Sequence, residues 1–187
     1  MKVTKMKDEQ PASAYDMGHA VETEALATFA VFVDNEPGVL HRVVGLFAAR
    51  GYNIESLTVA ETDRDSHTSR ITIVTRGTPQ VLAQIEAQLE KLVSTRHVQD
   101  VTKDPNGVER ELALVKVRGV GAERVEALRL ADIFRAKVID TTIESFIFEI
   151  TGSSDKIDKF IDLMRSLGLV EVSRTGVLSI ERGVHTP

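Results

Sequence analysis

Two periodicities alternate along this chain. Residues 26–33 (LATFAVFV) are apolar almost throughout, as in a central strand covered on both faces. The period then lengthens: Leu40, Val43, Val44 and Phe47 fall at i, i+3, i+4 and i+7. That spacing predicts a helix over 37–50 with one buried stripe, stopped by Gly51. Residues 53–61 and 70–76 predict two strands joined by the polar loop TDRDSHTS. Thr78-Pro79 is a helix start, with the hydroxyl as N-cap and proline at the first helical position. Val81, Leu82, Ile85, Leu89 and Leu92 supply its buried face, and a fourth strand falls near 93–101. The order is β-α-β-β-α-β.

The same order recurs after DPNG at 104–107, which is turn chemistry and marks a boundary. A strand at 111–118 precedes a helix at 122–136, and strands at 137–143 and 145–151 follow. A helix at 154–167 with Ile157, Phe160, Ile161 and Met164 on one face leads to a last strand at 169–175. The fold class expected is therefore α+β, two tandem ferredoxin-like βαββαβ units at 26–103 and 108–183. Each is a four-stranded antiparallel sheet with two helices on one face. Such a sheet leaves a face and two edges uncovered, so pairing with a second copy is expected. Residues 1–25 are polar and aperiodic and read as a disordered or loosely attached extension.

Composition narrows the function classes. A net charge of −5 argues against a nucleic-acid partner, which needs a basic surface. No apolar stretch approaches the roughly 18–20 residues that span a bilayer, and the start of the chain has no apolar signal region. With no cysteine there are no disulfides or thiolate chemistry, which fits a cytoplasmic protein. His19, His41, His67, His97 and His185 share no metal-ligand spacing, so no metal site is expected. No nucleophile elbow, P-loop or dinucleotide fingerprint occurs, and no catalytic residue is assigned. Glu109-Arg110-Glu111 reads as a solvated entry to the second unit, or part of an ion pair between units. Phe146 and Phe148 alternate on one strand, and in an acidic chain they read as core or protein interface, not as base-stacking groups.

The feature that suggests chemistry is Asn35-Glu36-Pro37-Gly38, between the first strand and the first helix. A helix starting near Pro37 leaves the N–H groups of Gly38, Val39 and Leu40 in its unsatisfied first turn, with the positive end of the dipole behind them. Gly38 has no Cβ to keep a ligand away, and Asn35 offers a donor and an acceptor. Asn53, expected at the start of an adjacent, parallel strand, would reach the same region. The carboxylate and ammonium of a small amino acid would then meet backbone N–H groups and asparagine oxygens, with aliphatic walls at Leu40 and Ile54. Pro-Gly after a strand is also an ordinary helix entry, and these four residues alone do not separate the two readings. The equivalent turn of the second unit, RGVGAE, has glycines but neither asparagine nor proline, so a ligand is expected in the first unit only.

The string NEPGVLHRVVGLFAARGYNIESLTVAETD, with SRITIV, VERELALVKV and SRTGVLSIERG downstream, closely resembles the small regulatory subunit of acetolactate synthase, also called acetohydroxyacid synthase. The likeness runs over about 26–183. It implies an ACT domain followed by a second ferredoxin-like domain, assembled as a homodimer that binds valine between paired ACT domains. It also implies stimulation of a large catalytic subunit and feedback inhibition in branched-chain amino acid biosynthesis. Thiamine diphosphate, Mg and FAD are expected in that catalytic subunit and no cofactor in this chain. By motif position the valine contacts would be Asn35, Gly38, Val39, Leu40, Asn53 and Ile54. His41 stands where relatives often carry a small hydroxyl residue, and the first 25 residues lie outside the resemblance. The alternative is a free-standing tandem ACT sensor that regulates another enzyme or a transcription factor.

Overall fold

A computed structural model describes residues 23–104 and 107–183; the expectation for the N-terminal extension falls almost wholly outside them. The first unit runs β1 (Ala25–Asp34), α1 (Val39–Arg50), β2 (Ser56–Asp63), β3 (Thr68–Gly77), α2 (Pro79–Glu90) and β4 (Thr95–Asp100). Its sheet has the order β2-β3-β1-β4 and is antiparallel at every pairing. Phe29, Val31 and Val33 alternate on the helix side of β1 and are fully buried with Ile71 and Ile73 of β3. A helix and a strand of this length meet here because each buries one apolar row against the other.

The buried row of α1 differs from the expected one. The helix begins at Val39, and Val39, Val43, Leu46 and Phe47 face the sheet, while Leu40 and Val44 stay exposed. Both sets are helical in spacing and share Val43 and Phe47, so periodicity alone could not choose between them. Docking of the helix on the sheet decides, and the left-handed turn at Gly38 leads into it with Val39 as the first residue turned inward. Each such side chain contributes about 1.5–3 kcal/mol by burial. For α2 the Thr78 hydroxyl accepts from the Val81 N–H at 3.4 Å, as the Thr-Pro start predicted.

A 3-10 turn (Val101–Lys103) leads to the second unit: β5 (Val108–Arg118), α3 (Gly121–Phe134), β6 (Lys137–Thr141), β7 (Ser145–Gly152), α4 (Ser154–Arg165) and β8 (Leu169–Arg174). The order β6-β7-β5-β8 repeats that of the first sheet. Phe146 and Phe148 are both buried, and Phe148 meets Phe160 of α4 edge-on, so the alternating pair belongs to the core. Ile157, Phe160, Ile161 and Met164 are buried as expected. A strand the periodicity did not predict, β9 (Leu178–Ile180), pairs with Val108–Arg110 at the start of β5. Three residues are too few to register as a period.

Two expectations are corrected. The face of the first sheet away from its helices is not open: Thr28, Ala30, Thr72 and Val74 are buried there. The chain leading into β9 lies across β2 and β3, and Thr102 of the 3-10 turn accepts from the Thr28 N–H at 2.7 Å. Glu111 is not solvated either, its side chain being 4% exposed. Its carboxylate receives Arg174 Nε at 2.7 Å and Nη2 at 2.6 Å, together with the Ser154 hydroxyl at 3.1 Å. Arg174 also reaches Asp158 at 2.6 Å. These bonds, that to Glu111 first, hold the guanidinium proton more tightly than usual. Alternation on β5 turns Glu111 inward with Ala113 and Val115, so it must be paired to be tolerated.

Arg174→Met should therefore strand a buried carboxylate and lower unfolding stability by about 3 kcal/mol. Glu111→Gln, which keeps an acceptor toward Arg174, should cost about 1 kcal/mol. Urea denaturation of both single variants and the double variant checks this, and the double loss should be less than the sum.

Candidate functional site

The turn after β1 is held from several sides. The Asp34 N–H donates to the Ser94 carbonyl at 2.9 Å, and the Asn35 N–H donates to the His67 carbonyl at 2.7 Å. Arg96 on β4 reaches Asp34 Oδ1 and Thr68 Oγ1 at 2.6 Å each, and the Ser66 carbonyl at 3.0 Å. One guanidinium thus ties the end of β1 to the β2–β3 hairpin. At the hairpin tip the Asp63 carboxyl is held below its usual range, first by the Ser66 hydroxyl and then by backbone N–H groups.

Gly38 caps α1 from the left-handed region, with φ +87° and no side-chain cap for the helix. Its environment is open, since a Cβ there would meet nothing within 4 Å. Glycine is thus demanded by the backbone angle, not by crowding. Val39 is turned inward: its side chain is buried and its N–H donates to the Glu36 carbonyl at 3.3 Å. The N–H groups of Gly38 and Leu40 have no intramolecular partner among the described residues. Asn35, Gly38 and Leu40 are all exposed, and the Asn35 amide donates to Glu61 Oε1 at 3.2 Å.

Asn53 and Ile54 are elsewhere. They precede β2, and β3 lies between β2 and β1, so the two parallel strands are not neighbours. Asn53 is level with Thr75, whose hydroxyl donates to the Asn53 carbonyl at 2.6 Å, whereas Asn35 is level with His67. The length of β2, 8 residues, separates them, roughly 25 Å at ordinary strand rise. The expectation that one protomer brings both asparagines to one place is therefore corrected. Each end nonetheless has the same make-up, an asparagine amide beside a carboxylate: Asn35 with Glu61, and Asn53 with Glu55 at 3.1 Å. The outer edge of β2 has no strand partner among the described residues, and Leu40, Val44 and Val59 are exposed.

Sequence reasoning missed Arg96, Glu55 and Glu61. Nothing local marks Arg96, which acts across 62 positions, and the two glutamates look like ordinary solvated charges. A cleft of ≈ 490 Å³ opens where the start of β2 (Glu55, Ser56, Leu57) faces Glu111, Arg174 and Val177 of the second unit. Among the described residues no group of His, Cys, Asp or Glu could hold a metal ion, and no helix is long and apolar enough to cross a membrane.

Residues 29–97 match the family described as the AHAS small subunit-like ACT domain, and residues 110–183 match the small subunit of acetolactate synthase. A relative from Archaeoglobus fulgidus, called a probable acetolactate synthase small subunit, is 49% identical over 156 residues, 83% of this chain and 96% of that one. The acetolactate synthase small subunit of Haemophilus influenzae is 47% identical over 155 residues, 82% of this chain and 94% of its own. The crystal structure of the small subunit from Thermotoga maritima superposes with a TM-score of 0.76 at 39% identity, covering 86% of this chain and 99% of that one. Two successive motif-bearing units, matched over nearly their whole length and in fold, show that this chain belongs to the acetolactate synthase small-subunit family, with an ACT domain as its first unit.

Proposed function

We propose that this chain is the regulatory subunit that stimulates a large acetolactate synthase subunit and makes it sensitive to valine, which binds between two copies of the ACT domain. The observation that carries the reading is the split site. Two asparagine–glutamate pairs stand at opposite ends of one edge strand whose outer side has no strand partner among the described residues, and each pair is read as half a site. If the β2 edges of two copies run antiparallel about a two-fold axis, the Asn35–Gly38 end of one meets the Asn53–Ile54 end of the other. Two equivalent sites result. In each, the valine carboxylate takes the free N–H groups of Gly38 and Leu40 at the positive helix end. The asparagine amides and their glutamates receive the ammonium, and Leu40 and Ile54 flank the side chain. Val39 contributes by anchoring the helix start and not by contact.

The chemistry belongs to the catalytic subunit, where thiamine diphosphate, Mg and FAD would reside; this chain supplies binding and coupling. An amino acid of this size offers about −4 to −8 kcal/mol of binding, hence millimolar to micromolar affinity. A coupling of about 1–3 kcal/mol changes activity severalfold to a hundredfold, provided valine prefers one of the two assemblies.

The chain alone should make no acetolactate, and adding it to the catalytic subunit should raise the rate and confer valine inhibition. Acetolactate formation by the chain alone would falsify the regulatory role. A partner other than a thiamine-dependent synthase in pull-downs would favour a free-standing sensor.

Gly38→Asp should abolish inhibition while sparing stimulation, because it sets a carboxylate where that of valine belongs. Aspartate tolerates the left-handed region, so the folding cost should stay near 1 kcal/mol. Unchanged inhibitor potency would place the ligand elsewhere. Asn35→Ala and Asn53→Ala should each weaken valine binding, measured by calorimetry. Mixing and reannealing the two variants should restore about a quarter of the sites, because half of the dimers then hold one intact site. No recovery on mixing would mean that each protomer binds by itself.

A further inference from the structure

The segment between β8 and β9 leaves the second unit and crosses the back of the first. Ser56 and Thr58 are two apart on β2, so both side chains point to the face away from the helices. Val177 meets them with both of its backbone groups. Its N–H donates to Ser56 Oγ at 3.1 Å, and its carbonyl accepts from Thr58 Oγ1 at 3.3 Å. Arg70 of β3 donates to the Ser179 carbonyl at 2.5 Å and lies over the Phe32 ring at 5.2 Å. Gly176 runs so close to β2 that a Cβ would come 2.5 Å from Ser56 Oγ and 3.0 Å from Thr58 Cγ2, at φ +83°.

Both ends of this segment belong to the second unit. The Thr175 N–H donates to the Leu112 carbonyl at 3.0 Å, and the Leu112 N–H donates to Thr175 Oγ1 at 3.1 Å. At the far end β9 is laddered to β5. Fixed at both ends within a few residues, the segment has no slack, so a shift of β2 must be followed or the contacts broken. The attachment is also incompletely satisfied. Arg70 Nε and Ser179 Oγ are buried without a hydrogen-bond partner among the described residues. Each unmade bond of that kind is a net cost to the fold, so a displacement that satisfied it would be favoured.

We infer that Gly176–Ser179 is a strap that carries effector occupancy from β2 to the second unit. The inference rests on the effector reading above, because the strap grips β2 directly after Asn53 and Ile54. A ligand held at those residues moves or stiffens the start of β2, and Val177 passes the change to β5 and β8. The strap transmits only the difference between bound and free positions of β2.

The test uses the full chain with its catalytic subunit and the double variant Ser56→Ala/Thr58→Val, which removes both side-chain bonds at nearly constant volume. Valine affinity by calorimetry should stay within about twofold, as expected for sites that do not touch the ligand. Stimulation without valine should be unchanged, while inhibition at saturating valine should fall by about fivefold or more. Gly176→Ala, which forces the strap off β2, should behave alike. In the parent, valine should alter amide hydrogen exchange at Val177 and Ser179, and in the double variant it should not. Full inhibition in variants that bind valine normally overturns the strap, as does a loss of valine affinity of about tenfold, which would make these residues part of the pocket. A parent that binds no valine overturns the effector reading itself, and calorimetry on the parent tells that failure apart.

Discussion

Strand β2, at one edge of the first sheet, has a ladder partner on one side only and makes its other contacts through its back face and its ends. β3 satisfies one edge of β2, and the other edge carries unpaired backbone groups. Its back face is hydrogen-bonded to the end of the second unit, Asn53 lies just before its start, and Glu61 near its other end holds Asn35 of the turn after β1. A strand is stiff along its length, so the groups at its ends and on its back are mechanically one element. On the proposed effector reading, that constraint makes β2 the element through which an occupied site would act on the second unit.

The two units share topology but not chemistry. The first opens its leading helix from Gly38 with free N–H groups and a tied turn, whereas the second opens α3 from Val120 without asparagine. Arg96 anchors the first turn, while the buried ion pair of the second unit, Glu111–Arg174, serves its own core beside the cleft. The two units therefore repeat one fold with different chemistry, and the second is hydrogen-bonded to the first through Val177 and Ser179. The buried carboxylate is tolerated because two guanidinium bonds and a hydroxyl satisfy it.

Much of the architecture could be read directly from residue patterns. The Thr78-Pro79 start, the α4 face and the repeat of βαββαβ order are local properties, set by caps and by periods that a single element must obey. The first helix shows where this ends: two overlapping stripes were compatible with its sequence, and only its docking on β1 selected Val39 and Leu46 over Leu40 and Val44. The candidate residues at the first turn were legible for the same local reason, since an Asn-Glu-Pro-Gly helix entry advertises unpaired N–H groups.

What sequence determined by itself was the identity of the elements, the fold class, the family likeness and the chemical character of the turn. What only tertiary structure decided was which groups share a place. Strands β1 and β2 run parallel, so Asn53, which precedes β2, lies at the opposite end of the sheet from Asn35, which follows β1. Strand β3 between them separates the two strands sideways as well. Arg96, Glu111 and the Val177 strap act across separations of 62, 63 and 121 positions, respectively. No local pattern reports such contacts, because their energies arise from surfaces that meet after the chain has closed on itself.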